Sequence, residues 1–277
     1  MSLQTQAMLI TLSVSCWTAR KQDKKVAAEV EASHNAKDAG RYNKLLVDKV
    51  HLDPLMNYAG QIRSYHYKMT LPWMDNGARL LPSRLFMEYS ANLRSMKAHY
   101  QTLVNDFITK YDATLRQDAR QRLGTMYDAN DYPEGYQLRA KFDVETDVAP
   151  VPDGQDFRVD VGDAERTRIG REIADKVAER QAAAQRDAWV RVRETVALIQ
   201  LRLSADKARI HDSLIDNARD LSRLLPGLNV SEDPQMDRVC TAITERLLID
   251  PQTLRNSRTA RVRVASAAAE ILEMVPA

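Results

Sequence analysis

Between Arg63 and Arg84 the chain interleaves the cations Arg63, Lys68, Arg79 and Arg84 with the flat rings of Tyr65, His66, Tyr67 and Trp73. Single-stranded nucleic acid suits that mixture, because cations neutralise phosphates while rings stack on bases regardless of sequence. A purely structural use competes with it: Tyr65 and Tyr67 turned to a core, and Trp73 plugging a loop. A second basic group is Arg255, Arg258 and Arg261, with Arg263 beside it. On a helix the first three would lie near one side, as a comb for phosphates, or they would form a solvated helix start. The run RKQDKK at 20–25 reads as the solvated beginning of a helix.

Other chemistries find little footing. The five histidines are scattered, with no HxH or HExxH spacing, and the two cysteines, Cys16 and Cys240, form no CxxC pair. Cys16 falls on the apolar face of an alternating stretch, which implies a buried, inert thiol. No GxGxxG, P-loop or GxSxG motif occurs. No catalytic residue, cofactor or metal ligand set is therefore expected. Acids from Asp143 to Asp160 share a strand-like face; a metal-dependent nuclease built on them is the weakest reading, since such sites gather acids from several elements.

These residues need elements to hold them. Alternation over 8–17 predicts a half-buried strand, with Met8, Ile10, Leu12, Val14 and Cys16 on one face. Helices are expected at 21–35 and 40–60, the second interrupted by Pro54. A further strand is expected at 62–71, followed by an irregular loop to Pro82. From Ser83 to Leu123, Phe86, Tyr89, Leu93, Met96, Tyr100, Leu103 and Phe107 step 3,4,3,4,3,4, the mark of a long helix that Gly124 ends. Two alternating runs around a Pro-Asp-Gly loop predict a β-hairpin over 136–161, with one acidic face. A second long helix should run over 163–225, capped by Asp163, broken near Ser204–Asp206 and stopped by Pro226–Gly227. Shorter helices, Met236–Ile249 and Ala260–Met274, complete the chain. The expected fold is α+β: a small antiparallel sheet packed on long helices in a domain over 1–162, then a helical arm or bundle over 163–277.

Composition is that of a soluble globular protein, with 277 residues, 44% hydrophobic and 28% charged. The apolar start MSLQTQAMLITLSVSCW lacks a preceding cation and is interrupted by Thr11, Ser13 and Ser15, so it is not read as an export signal. No other stretch approaches 18 uncharged residues, so no transmembrane helix is expected. The net charge of +2 conceals a basic first half and an acidic middle. That asymmetry, together with helical stripes longer than a compact domain covers, suggests head-to-tail self-association into a ring or filament.

Four segments, LITLSVSCWTARKQDKK (9–25), DAGRYNKLLV (38–47), TLPWMDNGARLLP (70–82) and VAPVPDGQDFRV (148–159), resemble an uncharacterised family of tailed-phage and prophage proteins. The resemblance covers about the first 160 residues. It implies a phage origin and action in the cytoplasm of an infected bacterium, and it brings no activity or site residues with it. Three functions are carried as expectations: from Arg63–Arg84 and the basic first half, a non-catalytic oligomer binding single-stranded nucleic acid in phage DNA metabolism; a scaffold, inhibitor or adaptor gripping a host protein through its helices; and, last, the nuclease using acids of the hairpin.

Overall fold

The computed structural model describes residues 2–156, 159–205 and 210–276. The architecture is α+β. A short helix α1 (Leu3–Gln6) leads into β1 (Ala7–Ser15), and β2 (Arg20–Gln22) precedes α2 (Lys24–Ser33). Next come β3 (Asn43–Leu45), α3 (Lys49–Met69), β4 (Leu71–Pro72), β5 (Arg79–Pro82) and α4 (Ser83–Lys110). A π-helical turn, Tyr111–Leu115, joins α4 to α5 (Arg116–Leu123), and α6 (Gly135–Arg139) is followed by β6 (Asp143–Pro150). The helices α7 (Asp163–Ser204), α8 (Ser213–Leu228), α9 (Pro234–Arg246), α10 (Pro251–Asn256) and α11 (Arg258–Met274) complete the order. One sheet has the order β4-β5-β1-β6, and β2 pairs antiparallel with β3 in a separate ribbon. Within the larger sheet, β5 pairs antiparallel with both β1 (Leu9↔Leu80) and β4 (Leu71↔Leu80).

The chain divides into two compact units that are discontinuous in sequence. Unit 1 comprises Met1–Thr11, His66–Tyr89 and Asp147–Ala277, and unit 2 comprises Leu12–Tyr65 and Ser90–Thr146. Unit 1 is built on α7, which is about 63 Å long at 1.5 Å per residue. Its Trp189, Val192, Val196, Ile199 and Leu203 step 3,4,3,4 and are buried. Ala260, Val264, Ala267, Ala268 and Ile271 of α11 are buried as well, and their small side chains let α11 approach α7 closely. Unit 2 has an aromatic core. Phe107 meets Tyr111 and Phe142 with ring centroids 6.0 and 5.8 Å apart. The hydroxyls of its buried tyrosines are satisfied: Tyr100 donates to Ser15 O at 2.8 Å, Tyr111 to Pro133 O at 2.9 Å, and Tyr132 to Leu46 O at 3.0 Å. Its ribbon is locked by Lys44, whose ammonium meets Asp131 at 2.8 Å, Asp23 at 3.5 Å and Met126 O at 2.7 Å.

Several expected boundaries move, each for a physical reason. Residues 62–69 are not a strand but the second half of α3. Leu52, Leu55, Ala59, Ile62, His66 and Met69 step 3,4,3,4,3 and all are buried. Counting His66 as polar hides that stripe and leaves only the alternation of Tyr65, Tyr67 and Met69. Pro54 lies inside α3 without ending it. The bond it forgoes is to residue 50, which is exposed to water.

The expected loop over 71–83 contains a hairpin, β4 turning back on β5. Gly77 adopts φ 93°, and Met74 N donates to Ala78 O at 3.1 Å. The expected hairpin over 136–161 keeps only one strand. Leu138 and Phe142, four apart and both buried, belong to α6 and the turn after it. After β6 the chain makes a 3-10 turn, Gly154–Asp156, and residues 159–162 form no strand; Phe157 and Arg158 lie outside the described residues. At this turn the backbones of Gly154 and Gly170 touch, since a Cβ on Gly154 would sit 2.2 Å from Gly170 O. That contact holds the turn against the second helical turn of α7.

Smaller shifts obey the same logic. Arg20–Gln22 is a strand, and Asp23 caps α2 by accepting from Lys25 N and Val26 N. Asp163 is the first residue of α7, with Gly162 at the cap position, and Pro226–Gly227 lies inside α8 rather than stopping it. The helix α7 ends at Ser204; Asp206 is outside the described residues.

Candidate functional site

In unit 1 the last turn of α3 and the β4–β5 hairpin bring Tyr67, Lys68 and Arg79 together. Tyr67 is 54% exposed, and the Arg79 guanidinium lies over its ring, 4.8 Å from the centroid. Arg79 is held there by Thr70: Nε donates to Oγ1 at 2.7 Å and Nη2 to the carbonyl at 3.1 Å. Arg191 of α7 donates to Lys68 O at 3.0 Å and Thr70 O at 2.7 Å, while its Nε pairs with Asp187 at 2.8 Å. Two guanidiniums thus satisfy carbonyls at the negative end of α3. Burial, and then the neighbouring Arg191 charge, draw the Arg79 pKa below the usual arginine value. Lys68 pairs with Asp220.

Beneath this surface His66 is 2% exposed, with Nδ1 2.8 Å from the Tyr89 hydroxyl. Burial, reinforced by the Arg79 charge, holds its pKa down to about 4, so the ring is neutral at neutral pH. Trp73 is buried, with Arg180 5.9 Å from its ring centroid and no acceptor for its indole N–H among the described residues. It serves as a plug rather than a stacking platform. Arg84 contacts Pro226 O at 3.5 Å and Glu232 at 3.9 Å.

The remaining candidates separate. Arg63 and Tyr65 belong to unit 2, where Arg63 donates to Val14 O at 2.8 Å and Tyr65 Oη accepts from Asn92 at 3.1 Å. The C-terminal comb does not form as a row. Arg255 turns onto Ile210 O at 3.0 Å and pairs with Asp212, while Arg261 donates to Leu254 O and Arg255 O at 3.0 and 3.1 Å, closing the end of α10. Arg258 and Arg261 do line one cavity of ≈ 770 Å³ between α7 and α11.

On β6, Glu145 and Asp147 are exposed, and Asp143 lies 4.0 Å from Lys97. Among the described residues, no three His, Cys, Asp or Glu side chains gather as a metal site, and no helix is long and apolar enough to cross a membrane.

Sequence reasoning missed Arg191, Asp187 and Asp220. They reach the candidate surface from more than a hundred residues away, and no local spacing announces them. Comparison of the chain with protein-family models, with curated proteins and with solved structures finds no match in any of the three.

Proposed function

We propose that this chain is a non-catalytic, oligomeric protein that binds single-stranded nucleic acid in phage DNA metabolism. The observation that carries the reading is the exposed Tyr67 ring backed by Arg79, with Lys68 one residue away. A ring clamped on one side by a fixed cation offers its other side to a base, and the neighbouring charges draw in the phosphates. Self-association is supported by α7, whose Val190, Leu198 and Leu201 are exposed on the side opposite its buried stripe.

Fluorescence anisotropy with a single-stranded oligonucleotide, read at low and moderate salt, tests the reading. Binding should weaken steeply with salt, and the double variant Tyr67→Ala with Lys68→Ala should bind at least tenfold less tightly. Unchanged affinity in a folded double variant would overturn it.

The apolar side of α7 also favours a second reading, in which a host protein grips this helix. In that case the purified chain ignores DNA, and Leu198→Glu with Leu201→Glu abolishes recovery of one discrete partner from host lysate.

A further inference from the structure

Unit 2 contains a cavity of ≈ 640 Å³ that plays no part in the unit 1 surface, walled in part by Cys16, Trp17, Met56, Ala59, Arg63 and Lys141. Its size falls within the range of small-molecule sites. No acidic side chain is among the described residues that line it. Two cations come to it from separate elements: Arg63 from α3, fixed by its 2.8 Å bond to Val14 O, and Lys141 from the segment after α6. Val14, Met56 and Ala59 supply apolar wall, and burial pushes the Cys16 thiol pKa up, so that side chain brings no negative charge.

The ring in this cavity is braced. Trp17 sits against Phe107 with centroids 6.4 Å apart, and meets Tyr111 edge-on at 5.8 Å. Tyr111 opens the π-helical turn and is itself pinned by its hydroxyl bond to Pro133 O. Wide turns of this kind inside α-helices recur at functional sites, because they re-aim a side chain. Here the turn aims Tyr111 at the indole. Next along the chain, Ala19 takes φ 50° while its side chain is wholly buried, a strained turn directly after the lining residues Trp17 and Thr18.

We propose that this cavity binds a nucleoside phosphate, with its base against Trp17 and its phosphate between Arg63 and Lys141. Guanidinium and ammonium groups recognise a phosphate from two directions, and an immobile indole offers a stacking face at little entropic cost. The assignment does not rest on the unit 1 surface and stands or falls separately.

The test is calorimetric titration of the full chain with deoxyadenosine monophosphate, deoxyadenosine and inorganic phosphate at low salt. The monophosphate should bind at least tenfold more tightly than either fragment. Lys141→Glu, which alters an exposed side chain, should cost tenfold or more, whereas Tyr67→Ala with Lys68→Ala should leave the affinity within twofold. Equal binding of inorganic phosphate and monophosphate would overturn the proposal, as would an affinity indifferent to Lys141→Glu. Comparing oligonucleotides with and without a 5′-phosphate then separates two sources of the same chemistry. Preference for the phosphorylated oligonucleotide over free monophosphate identifies a strand end, and the reverse identifies a free nucleotide; both support the cavity.

Discussion

Each unit buries a basic side chain, and the two handle it in opposite ways. In unit 1, His66 is sealed in, and no carboxylate of the described residues supports its charged form; desolvation, aided by the Arg79 charge, keeps it neutral. In unit 2, desolvation also works against the Lys44 ammonium, but the hydrogen bond and charge of Asp131, and then of Asp23, outweigh it, so its pKa rises. Burial alone does not decide whether a base is charged. The count of opposed carboxylates within reach decides it. The candidate surfaces reverse the contrast: Lys68, Arg79 and Arg191 of unit 1 are engaged by acids and carbonyls, while Arg63, held by the Val14 carbonyl, and Lys141 face a cavity with no acid among the described residues that line it.

Four experiments break or sharpen this contrast. Lys44→Met should have the largest effect, removing the buried cation that joins Asp23 to Asp131 and leaving only the exposed Lys21, 3.7 Å from Asp131. We expect a loss of about 3 kcal/mol, read as faster amide hydrogen exchange concentrated in residues 20–45 and 124–132.

Acid titration should come next, and it should separate the units. The folded pKa of His66 lies below its unfolded value, so unfolding takes up close to one proton in that window. Stability tied to it is complete above about pH 6.5 and declines as pH falls toward about 4. Asp23 behaves differently: the amide of Val26, and then Lys44, depress its pKa. Its contribution persists above its ordinary carboxylate value and is lost only as pH falls through the lower folded value. Exchange should therefore accelerate first around His66 and only at lower pH around Asp23. His66→Gln should erase the first phase alone, and simultaneous acceleration at both sites would contradict the distinction.

Asp131→Asn keeps Asp23 beside Lys44, so denaturant melts should show a smaller loss than for Lys44→Met, about 1.5 kcal/mol. The smallest effect, about 1 kcal/mol, is expected for Tyr100→Phe, which removes one hydrogen bond to Ser15 O while preserving the ring.

The long helices were legible because their stripes persist over many turns. The 3,4 spacing around Tyr100 and the one from Trp189 to Leu203 both survive in the fold. Where alternation and helical spacing overlapped, as in 62–69, a single buried histidine reversed the outcome, and only its partner Tyr89 reveals it as a core residue. The Asn76-Gly77 turn was present in the sequence as a hairpin signal, yet the flanking strands, of two and four residues, were too short to show alternation. The acidic hairpin was misread at both ends: Leu138 belongs to a helical stripe, and the described residues 159–162 form no strand, while Gly154 packs on Gly170, a contact that no local pattern announces. Of the candidate surface, Tyr67, Lys68 and Arg79 could be read locally; the burial of Trp73 and the reach of Arg191 could not. Trp17 and Lys141 went unnoticed as a pair because 124 positions of chain separate them.

The π-helical turn at Tyr111–Leu115 has a consequence for chain length. In an ordinary α-helix, removing one residue rotates everything beyond it by about 100°, which would swing Ala119 and Leu123 out of the core. A turn that closes on the fifth residue instead of the fourth already contains the surplus. Deleting Thr114, an exposed member of it, would convert the wide turn into an ordinary one and leave α5 in phase. Along the forty residues from Ser83 onward, this is the place where the protein can become one residue shorter while α5 keeps its packing.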